Sequence, residues 1–242
     1  MKRSMWRLII ALLAVAVFLP GCVYLRLLKL QQQFEAFADY VSLDRINGLG
    51  LNFHRPVLLL QDVIWLMKGK AAIHARCGRY TIFKYEFLKQ YADVAEIEAD
   101  SLRVAVVMIF QDDKLVKIRF PEEFAKAIHP ELIERSLRSM GRGKVNQDER
   151  TVSADVDAED EAQPVVMPTQ PEVEQILGAP YALTKNADEN TLYYQYAVRL
   201  ESSSNQAAPP VVDVWFTFHA GTQSLKKARF TFHKLTAAIN FK

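Results

Sequence analysis

Two stretches of this chain can be laid over each other at an offset that hardly drifts. Gly69 falls on Gly178 (offset 109), Thr81 on Thr191 (110), Phe110 on Phe218 (108), and the pair Arg119-Phe120 on Arg229-Phe230 (110). A shared order of helix, glycine stop and strands at one spacing is the mark of an internal duplication, which restricts the fold to something one unit can build twice. The reading is α+β: two tandem units, each a helix plus a three-stranded antiparallel sheet, preceded by an N-terminal amphipathic helix.

Local patterns supply the elements. In the first unit, residues 56–144, Pro56 precedes the apolar set Leu59, Val63, Leu66 and Met67, with a stop at Gly69. Extended runs follow at Tyr80–Leu88, Leu102–Phe110 and Leu115–Phe120, and helical pattern resumes from Glu122 to Met140, interrupted at Pro130. In the second unit, residues 165–242, Thr169 and Glu172 have capping-box spacing ahead of Val173, Ile176 and Leu177. Gly178 and Pro180 stop that helix, and strands are expected at Leu192–Leu200, Val211–Phe218 and Leu225–Phe232. Between the units, residues 145–164 are polar and end in Asp155, Asp157, Glu159, Asp160 and Glu161, which reads as an acidic linker. Its spacing lacks the Gly and terminal Glu of an EF-hand loop.

The N-terminus has a different character. Lys2, Arg3 and Arg7 precede an apolar run from Leu8 to Leu19, and Pro20, Gly21 and Cys22 follow. This is the three-part layout of a secretory signal peptide, assigned to residues 1–21. As a helix the run would span only about 18 Å, too short for a hydrocarbon core of about 30 Å. The ending Leu19-Pro20-Gly21-Cys22 resembles a bacterial lipobox, which implies cleavage between Gly21 and Cys22 and lipidation of Cys22. In the lipoprotein families this ending resembles, an Asp just after the cysteine favours inner-membrane retention; with Val23 in that place the resemblance implies outer-membrane sorting, the body facing the periplasm. Residues 22–55 then comprise the lipidated N-terminus and an amphipathic helix, in which Leu27, Leu30, Phe34, Phe37 and Val41 recur at helical spacing.

The second unit carries a family resemblance. Pro171-Glu172-Val173-Glu174-Gln175-Ile176-Leu177-Gly178-Ala179-Pro180, then Tyr193-Tyr194-Gln195-Tyr196 and Val214-Trp215-Phe216-Thr217-Phe218, resembles the SmpA/OmlA lipoproteins, a family that includes the small lipoprotein of the outer-membrane β-barrel assembly machinery. The doubled unit is also similar to the β-lactamase inhibitor proteins. The resemblance covers roughly the last 75 residues well, and the first unit, with its added helices, departs from the small family members. It implies a non-enzymatic outer-membrane lipoprotein acting as a protein-binding or scaffolding module in envelope assembly or maintenance. The alternatives are a periplasmic enzyme inhibitor or regulator and a carrier of a small apolar ligand.

Residue chemistry agrees with the absence of a catalytic assignment. His54, His74, His129, His219 and His233 show no metal-ligand spacing, and neither a cofactor nor a metal is expected. Cys77 has His74, Arg76 and Arg79 nearby but no assignable base, and is expected to be buried. Without Lys2, Arg3 and Arg7, 27 basic residues face 28 acidic ones, a balance that argues against nucleic-acid binding. The expected partners are the membrane, through the lipid on Cys22, and an envelope protein. Phe83, Tyr85 and Phe87 share one strand face, as do Tyr194 and Tyr196, while Tyr193, Trp215 and Thr217 are candidates to point outward; individual partner-binding residues stay open.

Overall fold

The computed structural model describes residues 23–45, 48–92, 103–122, 129–157, 165–201, 208–233 and 235–242. In chain order they form α1 (23–35), α2 (Phe37–Tyr40), β1 (Val41–Asp44), β2 (Leu49–Phe53), α3 (Leu60–Met67), β3 (Ile73–Cys77), β4 (Tyr80–Lys89), β5 (Arg103–Gln111) and β6 (Lys114–Phe120). Then come α4 (Pro130–Gly141), β7 (Lys144–Asn146), β8 (Thr151–Val156), α5 (Gln170–Leu177), β9 (Ala182–Lys185), β10 (Glu189–Arg199), β11 (Val211–His219), β12 (Leu225–Phe232) and β13 (Leu235–Phe241).

All thirteen described strands belong to one sheet, ordered β1-β2-β6-β5-β4-β10-β11-β12-β13-β8-β7, with β3 beside β4 and β9 beside β10. This overturns the expected pair of separate units with three-stranded sheets. The physical reason lies in β4 and β10, which are longer than the strands flanking them on one side. β3 covers Tyr80–Lys84 of β4, and β9 covers Asn190–Tyr193 of β10, so the far end of each strand presents an open edge. Open edges pair. Here they pair with each other, antiparallel, matching Lys89 to Tyr196, Leu88 to Ala197, Phe87 to Val198 and Glu86 to Arg199.

The expected linker is corrected in the same way. Residues 144–156 supply β7 and β8, and β8 runs parallel to β13 while every other pairing is antiparallel. Within β8, Val152, Ala154 and Val156 alternate with Thr151, Ser153 and Asp155, and Ala154 and Val156 are buried. The acidic run at 159–161 lies outside the described residues. The N-terminal helix is shorter than its apolar spacing suggests: it breaks at Ala36, and Val41 opens a strand.

Several local expectations meet their geometry. Thr169 donates to the Glu172 carboxylate from both its amide (2.8 Å) and its hydroxyl (2.9 Å), starting α5. Pro130 occupies the first turn of α4, where its missing N–H costs nothing. Helix α3 ends in a left-handed residue at Lys68, one position before Gly69. The match of Gly69 with Gly178 becomes visible in hydrogen bonding: Tyr85 donates to Gly69 O and Tyr194 to Gly178 O, each at 3.0 Å.

The helices pack on one face of the sheet over two adjoining cores. One centres on Phe83, Tyr85 and Phe110, with Phe37 and Val63 above them; the other centres on Tyr194, Phe216 and Phe218, with Val173 and Leu177. They are not independent. Val198 of β10 belongs to the first core, and Phe87 and Val212 pack against both. The buried Lys89 of β4 donates to Leu177 O at 2.6 Å, so a cation from one half meets the carbonyl end of the other half's helix. On the opposite face Arg199 pairs with Glu86 at 3.1 Å across the same junction.

Candidate functional site

Strand alternation sends Tyr194 into the core and Tyr193 to the face that the described helices leave uncovered. The register aligns Ala182, Tyr193, Trp215, Arg229 and Ala238 in one row across β9 to β13. The middle of that row is an aromatic stack. Tyr193 and Trp215 lie 5.2 Å apart with planes 20° from parallel, Arg229 sits 4.8 Å over the indole, and Tyr181 meets Tyr193 edge-on at 5.4 Å. The rings are only half-buried, so they keep a face for contact while neighbouring strands restrict their rotamers.

A polar network holds the stack in place. Tyr193 donates to Asp213 Oδ1 at 2.6 Å, and Gln195 Nε2 donates to both the Tyr193 oxygen (2.8 Å) and Asp213 Oδ1 (3.1 Å). Partial burial, with the Asp213 carboxylate accepting the phenolic proton, pushes the Tyr193 hydroxyl up to about 12, so it acts as a donor at neutral pH. In the adjoining row Thr191 and Thr217 hydroxyls meet at 3.2 Å. The sequence expectation named Tyr193, Trp215 and Thr217 for this face. It missed Tyr181, Asp213 and Arg229, because only the register between strands brings them beside the rings.

The other face holds an apolar cavity of about 210 Å³ between α4, α5 and the C-terminal strands. Leu132, Ile133 and Leu137 come from α4, Val173, Ile176 and Leu177 from α5, and Phe216, Ala228, Phe230 and Ile239 from the sheet. The hydroxyl of Ser136 is the polar group among its lining side chains.

The remaining sequence candidates are dispersed. Gly21 and Cys22 lie outside the described residues. Cys77 is exposed at the end of β3, contrary to the expected burial, because β3 is a short strand laid on the outer margin of β4. Alternation along β3 turns His74 to the face opposite Cys77; the imidazole packs edge-on against Phe83 and its Nδ1 lies 3.1 Å from Ala71 O. Among the described residues no group of three or more His, Cys, Asp and Glu side chains is placed to hold a metal ion, and no helix is long and apolar enough to cross a membrane. No family model, curated protein or solved structure matches the chain.

Proposed function

We propose that this chain is a non-enzymatic lipoprotein of the outer membrane, anchored through a lipid on Cys22, that binds an envelope protein on the Tyr193–Trp215–Arg229 face of its sheet. The observation carrying the binding half is the aromatic stack itself: Tyr, Trp and Arg are the residues enriched at interface hot spots, and here two half-buried rings are preorganised outside the helical layer with the exposed Arg229 over the indole. The anchor rests on Lys2, Arg3, Arg7, the short apolar run and Leu19-Pro20-Gly21-Cys22. The likeness of the second unit to SmpA/OmlA lipoproteins favours an envelope assembly partner over a soluble one.

Photocrosslinking from position 217, beside the stack, in intact cells with mass spectrometry of the adducts tests the binding half. A single dominant envelope protein supports it; a soluble periplasmic enzyme would instead make the chain an inhibitor or regulator. Trp215→Ala should weaken the captured complex about 30-fold, equivalent to about 2 kcal/mol. Unchanged capture by that variant defeats the assignment of the face. For the anchor, Cys22→Ala should abolish palmitate labelling, and continued labelling would refute it.

The apolar cavity favours a second reading, a carrier of a small apolar ligand, since an apolar space of this size can accept a small hydrocarbon. Ala228→Phe places a ring into that space. If the cavity is a ligand site, the substitution should remove co-purifying lipid seen by native mass spectrometry and leave partner crosslinking intact.

A further inference from the structure

Helix α1 is fastened to the body along its whole length. Near its start, Arg26 makes a two-pronged ion pair with Asp62, with both contacts at 2.5 Å, and the Asp62 side chain is only 2% exposed. Asp62 also accepts the Leu59 amide at 2.8 Å, so this ion pair is built into the first turn of α3. Further along, Gln33 Nε2 donates to Arg55 O at 2.7 Å, and Gln31 Nε2 donates to Met140 O and Gly143 O at 3.2 and 3.1 Å. Leu27, Leu30 and Phe34 rest on the first core. No slack remains between Tyr24 and the folded domain.

Only Val23 separates the proposed lipid site from Tyr24 in the chain, so an acyl anchor on Cys22 would bring the leaflet to within two residues, about 8 Å of chain, of Tyr24. Around Tyr24 the surface has an interfacial composition. Trp65 meets Tyr24 edge-on at 5.7 Å and is 42% exposed, and Leu25 is 58% exposed. Lys68 Nζ lies 5.2 Å from the Trp65 ring centroid, and the Arg150 guanidinium lies 5.7 Å from that of Tyr24. Aromatic rings with an adjoining cation are the side chains that settle at the boundary between headgroups and acyl chains.

We infer that Tyr24, Leu25, Trp65, Lys68 and Arg150 form a membrane-contacting face. On this inference, which rests on the lipid anchor proposed for Cys22, the body is held flat against the phospholipid leaflet and does not hang from a tether. The Tyr193–Trp215 face, on the side of the sheet opposite α3, is thereby turned away from that contact.

The two faces each carry one tryptophan, and Trp6 leaves with the signal peptide, so fluorescence separates them. The lipidated protein, produced as Trp215→Phe and as Trp65→Phe, is reconstituted into vesicles of phosphatidylethanolamine and phosphatidylglycerol carrying brominated acyl chains. Trp65 should lose about half its emission, as an interfacial ring does, while Trp215 keeps nearly all of its own. Equal quenching of the two, or an unquenched Trp65, overturns the inference, and an unquenched Trp65 that is nevertheless shielded from acrylamide assigns the face to contact with a second copy of this chain. Intact mass measured beforehand keeps the two proposals apart. An acylated protein with unquenched Trp65 refutes the orientation alone, whereas a protein without acyl mass refutes the anchor and the orientation with it.

Discussion

At the scale of single residues, two kinds of burial govern how this protein responds to substitution and to pH. Asp62 is a buried carboxylate whose charge is met by Arg26, so removing the guanidinium strands an anion beneath α1. Arg26→Ala should therefore cost about 3 kcal/mol, read as a lowered midpoint in urea unfolding with an unchanged slope. The tyrosines set the alkaline limit. Burial drives the phenols of Tyr85, Tyr194 and Tyr196 upward, and burial with Asp213 holds Tyr193 near 12. Folded values above the unfolded value of about 10 mean stability that is complete below pH 10 and lost as pH rises through the folded values. Thermal midpoints should fall steeply between about pH 10 and 12, with these phenolates appearing at 295 nm only as the fold is lost. Ionisation of all tyrosines near pH 10 in an intact fold would refute this.

At the scale of elements, the crossing of α1 over α4 depends on one missing methyl group. A Cβ on Gly141 would stand 2.1 Å from Glu35 N and 2.6 Å from Glu35 Cα, backbone atoms that no rotamer change can move. Gly141→Ala should cost about 3 kcal/mol by forcing the helices apart. Gly221→Ala, where an added Cβ meets nothing within 4 Å, serves as the neutral control. Calorimetry of both variants checks this, and a Gly141→Ala midpoint equal to that of the control would show that the crossing adapts. The start of α5 was legible in sequence, because the Thr169–Glu172 pair acts within a single turn, whereas Pro130, read as an interruption of a helical stretch from Glu122 to Met140, stands in the first turn of α4. The end of α1 at Ala36 was not, since Phe37 and Val41 continue the apolar spacing and only the strand pairing of β1 with β2 takes Val41 out of the helix.

At the scale of the whole molecule, the halves are welded through β4 and β10, and the C-terminal strand β13 is completed by β8 from between them. A fragment covering residues 165–242 would expose the β10 edge at Ala197 and Val198 and leave β13 without its parallel neighbour. It should lack a cooperative thermal transition, whereas the chain from Cys22 onward should unfold in one. A cooperative transition in the isolated fragment would show that the second core is self-sufficient.

The split between sequence and tertiary structure follows the range of the interactions involved. Legible in the sequence alone were the basic-then-apolar layout of residues 1–22, the offset joining Gly69 to Gly178, the proline turn at Pro130, the capped start of α5, and the outward placement of Tyr193 and Trp215, because each depends on neighbouring residues or on strand alternation. Tertiary structure decided that the two halves share one sheet, that residues 144–156 supply strands in place of a linker, and that Asp213 and Arg229 attend the aromatic stack. Those outcomes depend on which open edge finds which partner, and edge pairing is set by the relative lengths of strands far apart in the chain. Short strands such as β3, β7 and β9 escaped the sequence for the same reason: they carry little apolar alternation of their own and are held as strands by the longer neighbours they pair with.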